Sequence, residues 1–102
     1  MEKRTPPYSL AQIHEFFHHG AFRVTRSALV CAANDFLYTE ADQLAQQVLA
    51  LSRHNFYKSM TTHTDHTIWQ DVYHGYIDDV ATYIKVQIVR NETIIISFKR
   101  RD

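Results

Sequence analysis

Phe56–Tyr73, FYKSMTTHTDHTIWQDVY, is the stretch on which the reading of this chain turns. Its eighteen residues hold one lysine, two histidines, three acids or amides and four aromatics, with no glycine or proline among them. Apolar and polar positions alternate, as in strands that bury one face and show the other to solvent. The spacing predicts two strands, Asn55–Thr61 and Thr67–Tyr73, joined by a turn at Thr62–Asp65. A sheet surface that mixes Lys58, Gln70 and His66 with tyrosine and tryptophan suits an anionic, base-bearing ligand.

Downstream the period of two continues in Thr82–Val89 and Thr93–Arg100. Arg90-Asn91-Glu92 reads as the tight connection between them, with Asn91 suited to a left-handed turn position. His74–Asp79, with Gly75 and two acids, reads as a longer loop. Alternation places Ile84, Val86 and Ile88 on one face and Tyr83, Lys85 and Gln87 on the other. In the last strand it sets Ile94, Ile96 and Phe98 against Ile95, Ser97 and Lys99. Parity is less clean where Gln70 falls between Ile68 and Val72, which fits either a bulge or a mixed, ligand-facing surface.

Upstream the pattern is helical. Ser9 is a candidate N-cap, followed by Leu10, Ile13, Phe16 and Phe17 at helical spacing and stopped by Gly20. Thr25 or Ser27 opens a second helix toward Phe36. Thr39 with Asp42 resembles a capping arrangement for a third, with Leu44, Ala45, Val48 and Leu51 on one stripe. The link Ala21–Val24 reads as extended. Helices first and strands afterwards predict an α+β domain over residues 1–102, about three N-terminal helices packed on one face of an antiparallel sheet formed mainly by the C-terminal half.

Composition narrows the class. The chain has 102 residues, 45% apolar, with 11 basic and 11 acidic side chains. That is one domain with a single core, and it excludes disordered or collagen-like chains. No apolar run approaches the roughly 20 residues of a membrane span, and MEKRTPPYS lacks the hydrophobic stretch of a signal peptide. Cys31 has no second cysteine to pair with, so the expected compartment is the reducing cytoplasm. Zero net charge argues against non-specific attraction to nucleic acid but not against a local basic cleft.

The opening MEKRTP, the block FYKSMTT with DHTIWQDVY, and the closing SFK resemble the MqsR family of bacterial toxins. Ser9–Arg53 is similar to that family in pattern only. The resemblance implies a RelE-like fold and a ribosome-independent mRNA interferase that needs no cofactor or metal. It also implies single-stranded mRNA as substrate, cut at GC-containing sites such as GCU, and an MqsA-like antitoxin as partner, with DNA engaged only indirectly through that antitoxin. A non-catalytic module regulating transcription through the antitoxin complex is the alternative. Matching the family's motifs residue by residue puts the catalytic positions at Lys58, Gln70, Tyr83 and Lys99, with Tyr76 as a rival to Tyr83. Around these, Tyr57, Met60, His66, Tyr73, Lys85 and Arg100 are expected to contact RNA.

The chemistry is coherent. RNA brings its own nucleophile, the 2′-hydroxyl. Cleavage then needs that proton removed, charge on phosphorus stabilised and the departing 5′-oxygen protonated. Lysine and tyrosine titrate near pH 10 when unperturbed, too high for an efficient base, but two ammonium groups at one site lower each other's pKa. The expected division has Lys58 and Lys99 stabilising the phosphorane, one of them or Tyr83 moving protons, and Gln70 positioning the phosphate or 2′-hydroxyl. The products would be a 2′,3′-cyclic phosphate and a 5′-hydroxyl.

Without the resemblance, Lys58 and Lys99 read as solvated strand lysines and Tyr83 as a cross-strand packing partner. Trp69 reads first as a core aromatic and second as a stacking platform. Met60 reads as core filler or a flexible base contact. His63, Asp65 and His66 have the residue types of a metal site without its spacing, and read as a turn. His18 and His19 fit a helix C-terminus, and Cys31 a small buried hydrophobe.

Overall fold

The computed structural model describes residues 2–6 and 8–101; Met1 and Pro7, both within the MEKRTPPYS opening, and Asp102 lie outside them. Three helices precede four long strands, giving the α+β arrangement expected from the sequence. The strands are β1 (Glu2–Lys3), β2 (Phe22–Val24), β3 (Phe56–Thr61), β4 (Trp69–Ile77), β5 (Val80–Val89) and β6 (Glu92–Arg100). They form one sheet in the order β1-β3-β4-β5-β6-β2, antiparallel except where β2 runs parallel to β6. A single turn of 3-10 helix, Arg53–Asn55, leads into β3.

The helices are α1 (Leu10–His18), α2 (Arg26–Phe36) and α3 (Ala41–Leu49). Ser9 caps α1, its hydroxyl accepting from the Gln12 amide, and Gly20 follows the helix at φ 72°. Thr25 rather than Ser27 caps α2. At α3 the capping box is Glu40 with Gln43, one residue beyond the expected Thr39 and Asp42. The reason is that Gln43 reaches back to two amides, accepting from both Thr39 and Glu40. Ile13 and Phe17 of α1, Ala28 and Ala32 of α2, and Leu44, Ala45 and Val48 of α3 pack on Tyr73, Ile84, Val86, Ile95 and Phe98 of the sheet. Cys31 is only half-buried, so it borders this core rather than filling it.

Two sequence expectations about the strands are corrected. His74–Asp79 is not a long loop: β4 runs on to Ile77, and Asp78 and Asp79, at φ 48° and 66°, make a two-residue turn into β5. Both left-handed positions match the twist of the flanking strands. Arg90 and Asn91 turn the next hairpin in the same way, as expected. In β6 strict alternation fails. The ladder pairs Lys85 with Ser97 but Val86 with Ile95, so Ile96 is an extra, bulged residue. Thr93, Ile95 and Phe98 therefore share the buried face, and Ile94 and Ile96 turn away from it.

The bulge also anchors α2. Thr25 Oγ1 donates to the Ile96 carbonyl at 3.0 Å and accepts from the Ala28 amide at 3.1 Å. Thr25→Ala removes both bonds. It should cost about 1–2 kcal/mol of unfolding free energy, the upper part of the range for a lost cap, measured as a lower urea midpoint at unchanged slope.

Candidate active site

The sheet has one helix-covered face and one open face on which lysines, glutamines and tyrosines stand among Met60, His74 and Ile94. A second bulge, at Tyr57 in β3, sets up that polar face. Phe56 pairs with Tyr73 and Lys58 with Val72, so Phe56 points into the core while Lys58 points to the open side. The next strand keeps its alternation: Gln70, Val72 and His74 share the open side, and Asp71 and Tyr73 the other. Gln70 thus belongs to the mixed surface the sequence allowed.

Registers across the strands place the site. Lys58 lies opposite Val72, Val72 opposite Lys85, and Lys85 opposite Ser97. One row over, His74 lies opposite Tyr83, and Tyr83 opposite Lys99. On the other side Met60 pairs with Gln70, whose amide donates to Gln87 Oε1 at 2.8 Å. Strands stand about 4.8 Å apart, so three lysines start within a few strand widths of each other, above the fully buried Val72. Lys99 Nζ stands 5.2 Å from the centre of the Tyr83 ring. Tyr76 lies at the far end of the hairpin beside Arg101, whereas Tyr83, and Tyr57 with its ring centre 5.6 Å from Lys58 Nζ, stand among the lysines.

Electrostatics separates these groups. Lys58 forms a salt bridge with Glu2 on β1, and this partner raises the lysine pKa and lowers that of the carboxyl. Lys58 is thus held as an ammonium, contrary to the expectation that crowded cations would lower it. Lys85 behaves in the expected way: burial first, then the Lys99 and Lys58 ammonium groups, lower its pKa. Burial raises the Tyr83 pKa despite the pull of Lys58.

Of the expected RNA contacts, Tyr57, Met60 and Lys85 border this face. Tyr57 is exposed at the bulge and stacks on His74 at 4.1 Å between ring centres. Three others lie away from this face. Tyr73 is 1% exposed and packs edge-on against Phe56 under the helices, because it has the opposite parity to Gln70 and Val72. Arg100 follows Lys99 and pairs with the buried Thr82, so it belongs to the helix side, where its amide donates to Asp35. His66 stands exposed in the connection beyond Trp69, outside the lysine rows. In that connection Asp65 accepts from the Thr67 amide and hydroxyl, a turn arrangement. Among the described residues no three His, Cys, Asp or Glu side chains converge. Trp69 is half-buried with the Lys3 ammonium 4.3 Å from its ring centre.

Sequence reasoning missed two members of the face. Glu2 is brought to Lys58 only by the β1–β3 pairing, which nothing in a two-residue strand announces. His74 falls in the His74–Asp79 stretch that reads as a loop, yet it lies on β4. Gln87, by contrast, falls on the face of Tyr83 and Lys85 by alternation alone.

Comparison with known proteins identifies the family. The family model described as "Motility quorum-sensing regulator, toxin of MqsA" matches residues 5–100. The mRNA interferase toxin MqsR of Escherichia coli (strain K12) is 43% identical over 101 residues, covering 99% of this chain and all of the relative. A match of that extent and identity leaves a single assignment: the chain belongs to the MqsR toxin family.

Proposed function

We propose that this chain is the toxin of a type II toxin–antitoxin pair, an endoribonuclease that cleaves single-stranded mRNA independently of the ribosome and of metal ions. Cutting at GC-containing sites such as GCU would stop translation and growth until an MqsA-like antitoxin binds the toxin. DNA is engaged only through that antitoxin. The observation that carries the reading is the open sheet face, where Lys58, Gln70, Tyr83, Lys85 and Lys99 gather over a buried apolar floor. Such a surface is open-ended, as a polymeric substrate requires, and its cations suit a phosphodiester.

On this face the 2′-hydroxyl attacks phosphorus, and the added negative charge falls among fixed ammonium groups. Lys58, kept charged by Glu2, is an electrostatic stabiliser. Gln70 is held by Gln87, which leaves its carbonyl oxygen to accept from the 2′-hydroxyl and so fix its position. Tyr83 retains its proton and serves as a donor to a phosphoryl oxygen. Lys99 neutralises the phosphate from the next row.

Incubation with a defined single-stranded RNA containing GCU, in excess EDTA, tests the reading. The expected result is undiminished cutting with 2′,3′-cyclic phosphate and 5′-hydroxyl ends, and slow cutting by Gln70→Ala. Loss of cleavage in EDTA would show the metal-free mechanism to be wrong. Cutting by Gln70→Ala and Lys58→Ala at wild-type rate would show the site to be misassigned.

A further inference from the structure

Resting on the ribonuclease reading above, we propose that Lys85 is the general acid of the cleavage, donating the proton from its Nζ to the departing 5′-oxygen. The position supports this first. Lys85 lies on β5, flanked in the sheet by β4 and β6, in the row that runs Lys58, Val72, Lys85, Ser97. It is half-buried, next in row to the apolar floor of Val72, whereas Lys99 is exposed. Among the described residues no carboxylate pairs with it, while Lys58 is tied to Glu2. The charged groups bearing on it are Lys99 from β6 and Lys58 from β3, and the other titratable side chains on this face of β4 and β5 are His74 and Tyr83.

Proton economy points the same way. A general acid must hold its proton at neutral pH yet release it readily at the moment of bond breaking. Gln70 has no such proton to give. Tyr83 holds its own more tightly than usual because partial burial disfavours its anion. Lys58 is held protonated by a carboxylate, which weakens it as an acid. Lys85 is the opposite case: burial and two neighbouring cations push its proton outward. The step balances as follows. The 2′-oxygen bonds to phosphorus as its proton leaves to a solvent base, and the bond from phosphorus to the 5′-oxygen breaks. The leaving oxygen then takes the Lys85 proton, which water restores.

The test compares a natural dinucleotide linkage with one carrying sulfur in place of the bridging 5′-oxygen. A thiolate leaves without protonation, so this substrate does not need the acid. Lys85→Gln and Lys85→Arg should each cut the natural linkage about 10²- to 10⁴-fold more slowly than wild type. Both should stay within about tenfold of wild type on the sulfur linkage, since only the acid step is removed. Arginine keeps the charge but is too weak an acid to donate, so it separates proton transfer from phosphate binding. Each variant is compared with itself on two substrates, so a partly unfolded sample cancels. Equal losses on both linkages would overturn the inference and make Lys85 a binding residue, as would full speed for Lys85→Arg on the natural linkage. Failure of the wild type on both substrates would instead overturn the ribonuclease reading, and the inference with it.

Discussion

Lys58→Ala should lower the rate of RNA cleavage about 10²- to 10³-fold, the loss typical when one fixed donor to a developing anion is removed. Its fold should survive, because the salt bridge with Glu2 lies at the sheet edge with the Glu2 side chain 57% exposed, and such partly solvated pairs contribute little to stability. The structure also predicts a companion effect of opposite sign. Glu2 competes with the phosphate for the same ammonium, so Glu2→Gln should tighten RNA binding, most visibly at low salt where screening is weak. Single-turnover cleavage and fluorescence anisotropy with a non-cleavable 2′-deoxy substrate separate the two effects. Lys58→Ala cutting within a factor of two of wild type would remove Lys58 from the chemistry. Weaker binding by Glu2→Gln would mean that Glu2 positions Lys58 instead of restraining it.

How much of this was legible in the sequence depended on how local the determining interactions are. The helix start at Ser9 and the turn at Arg90-Asn91 are set by neighbours three or four residues away and are legible, whereas the start of α2 stays open between Thr25 and Ser27 and that of α3 shifts by one residue. Strand faces were legible as far as alternation ran unbroken, which placed Tyr83, Lys85 and Gln87 together. They failed at Ile96, where a bulge is stabilised by Thr25, 71 residues distant. Tyr73 was misjudged for a related reason. An aromatic in a polar, functional stretch looks like a base contact, and only the parity of Val72 and the helices beneath decide that it faces the core. Glu2 was illegible because its meaning comes from an edge pairing with β3. The lysine with the lowered pKa could not be chosen from sequence either, since the choice depends on which lysine finds a carboxylate.

The second large effect lies on the covered face. Asp71 is fully buried, its pKa raised to about 6 chiefly by burial, although the Ser59 hydroxyl donating to Oδ1 at 2.6 Å and the Tyr8 backbone pull it down. In the unfolded chain the same group titrates near its ordinary value of 3.8. Between those values the native state binds the extra proton, so this group's contribution to stability is greatest below about pH 4, declines as pH rises to about 6, and is flat above. The gap of roughly two pK units is worth about 3 kcal/mol, or on the order of 10 °C in Tm for a domain of this size. Glu2 and Asp65, whose pKa values are lowered by their partners, work in the opposite sense. The wild-type profile alone therefore does not isolate Asp71, but its difference from Asp71→Asn does. Asparagine retains an acceptor for Ser59 and carries no charge. The variant should gain relative to wild type as pH rises from 4 to 7, by about 3 kcal/mol in urea unfolding. A difference independent of pH would mean that Asp71 titrates like a solvated carboxylate. A gain on lowering the pH would mean that it is held charged, and that the Ser59 bond outweighs burial.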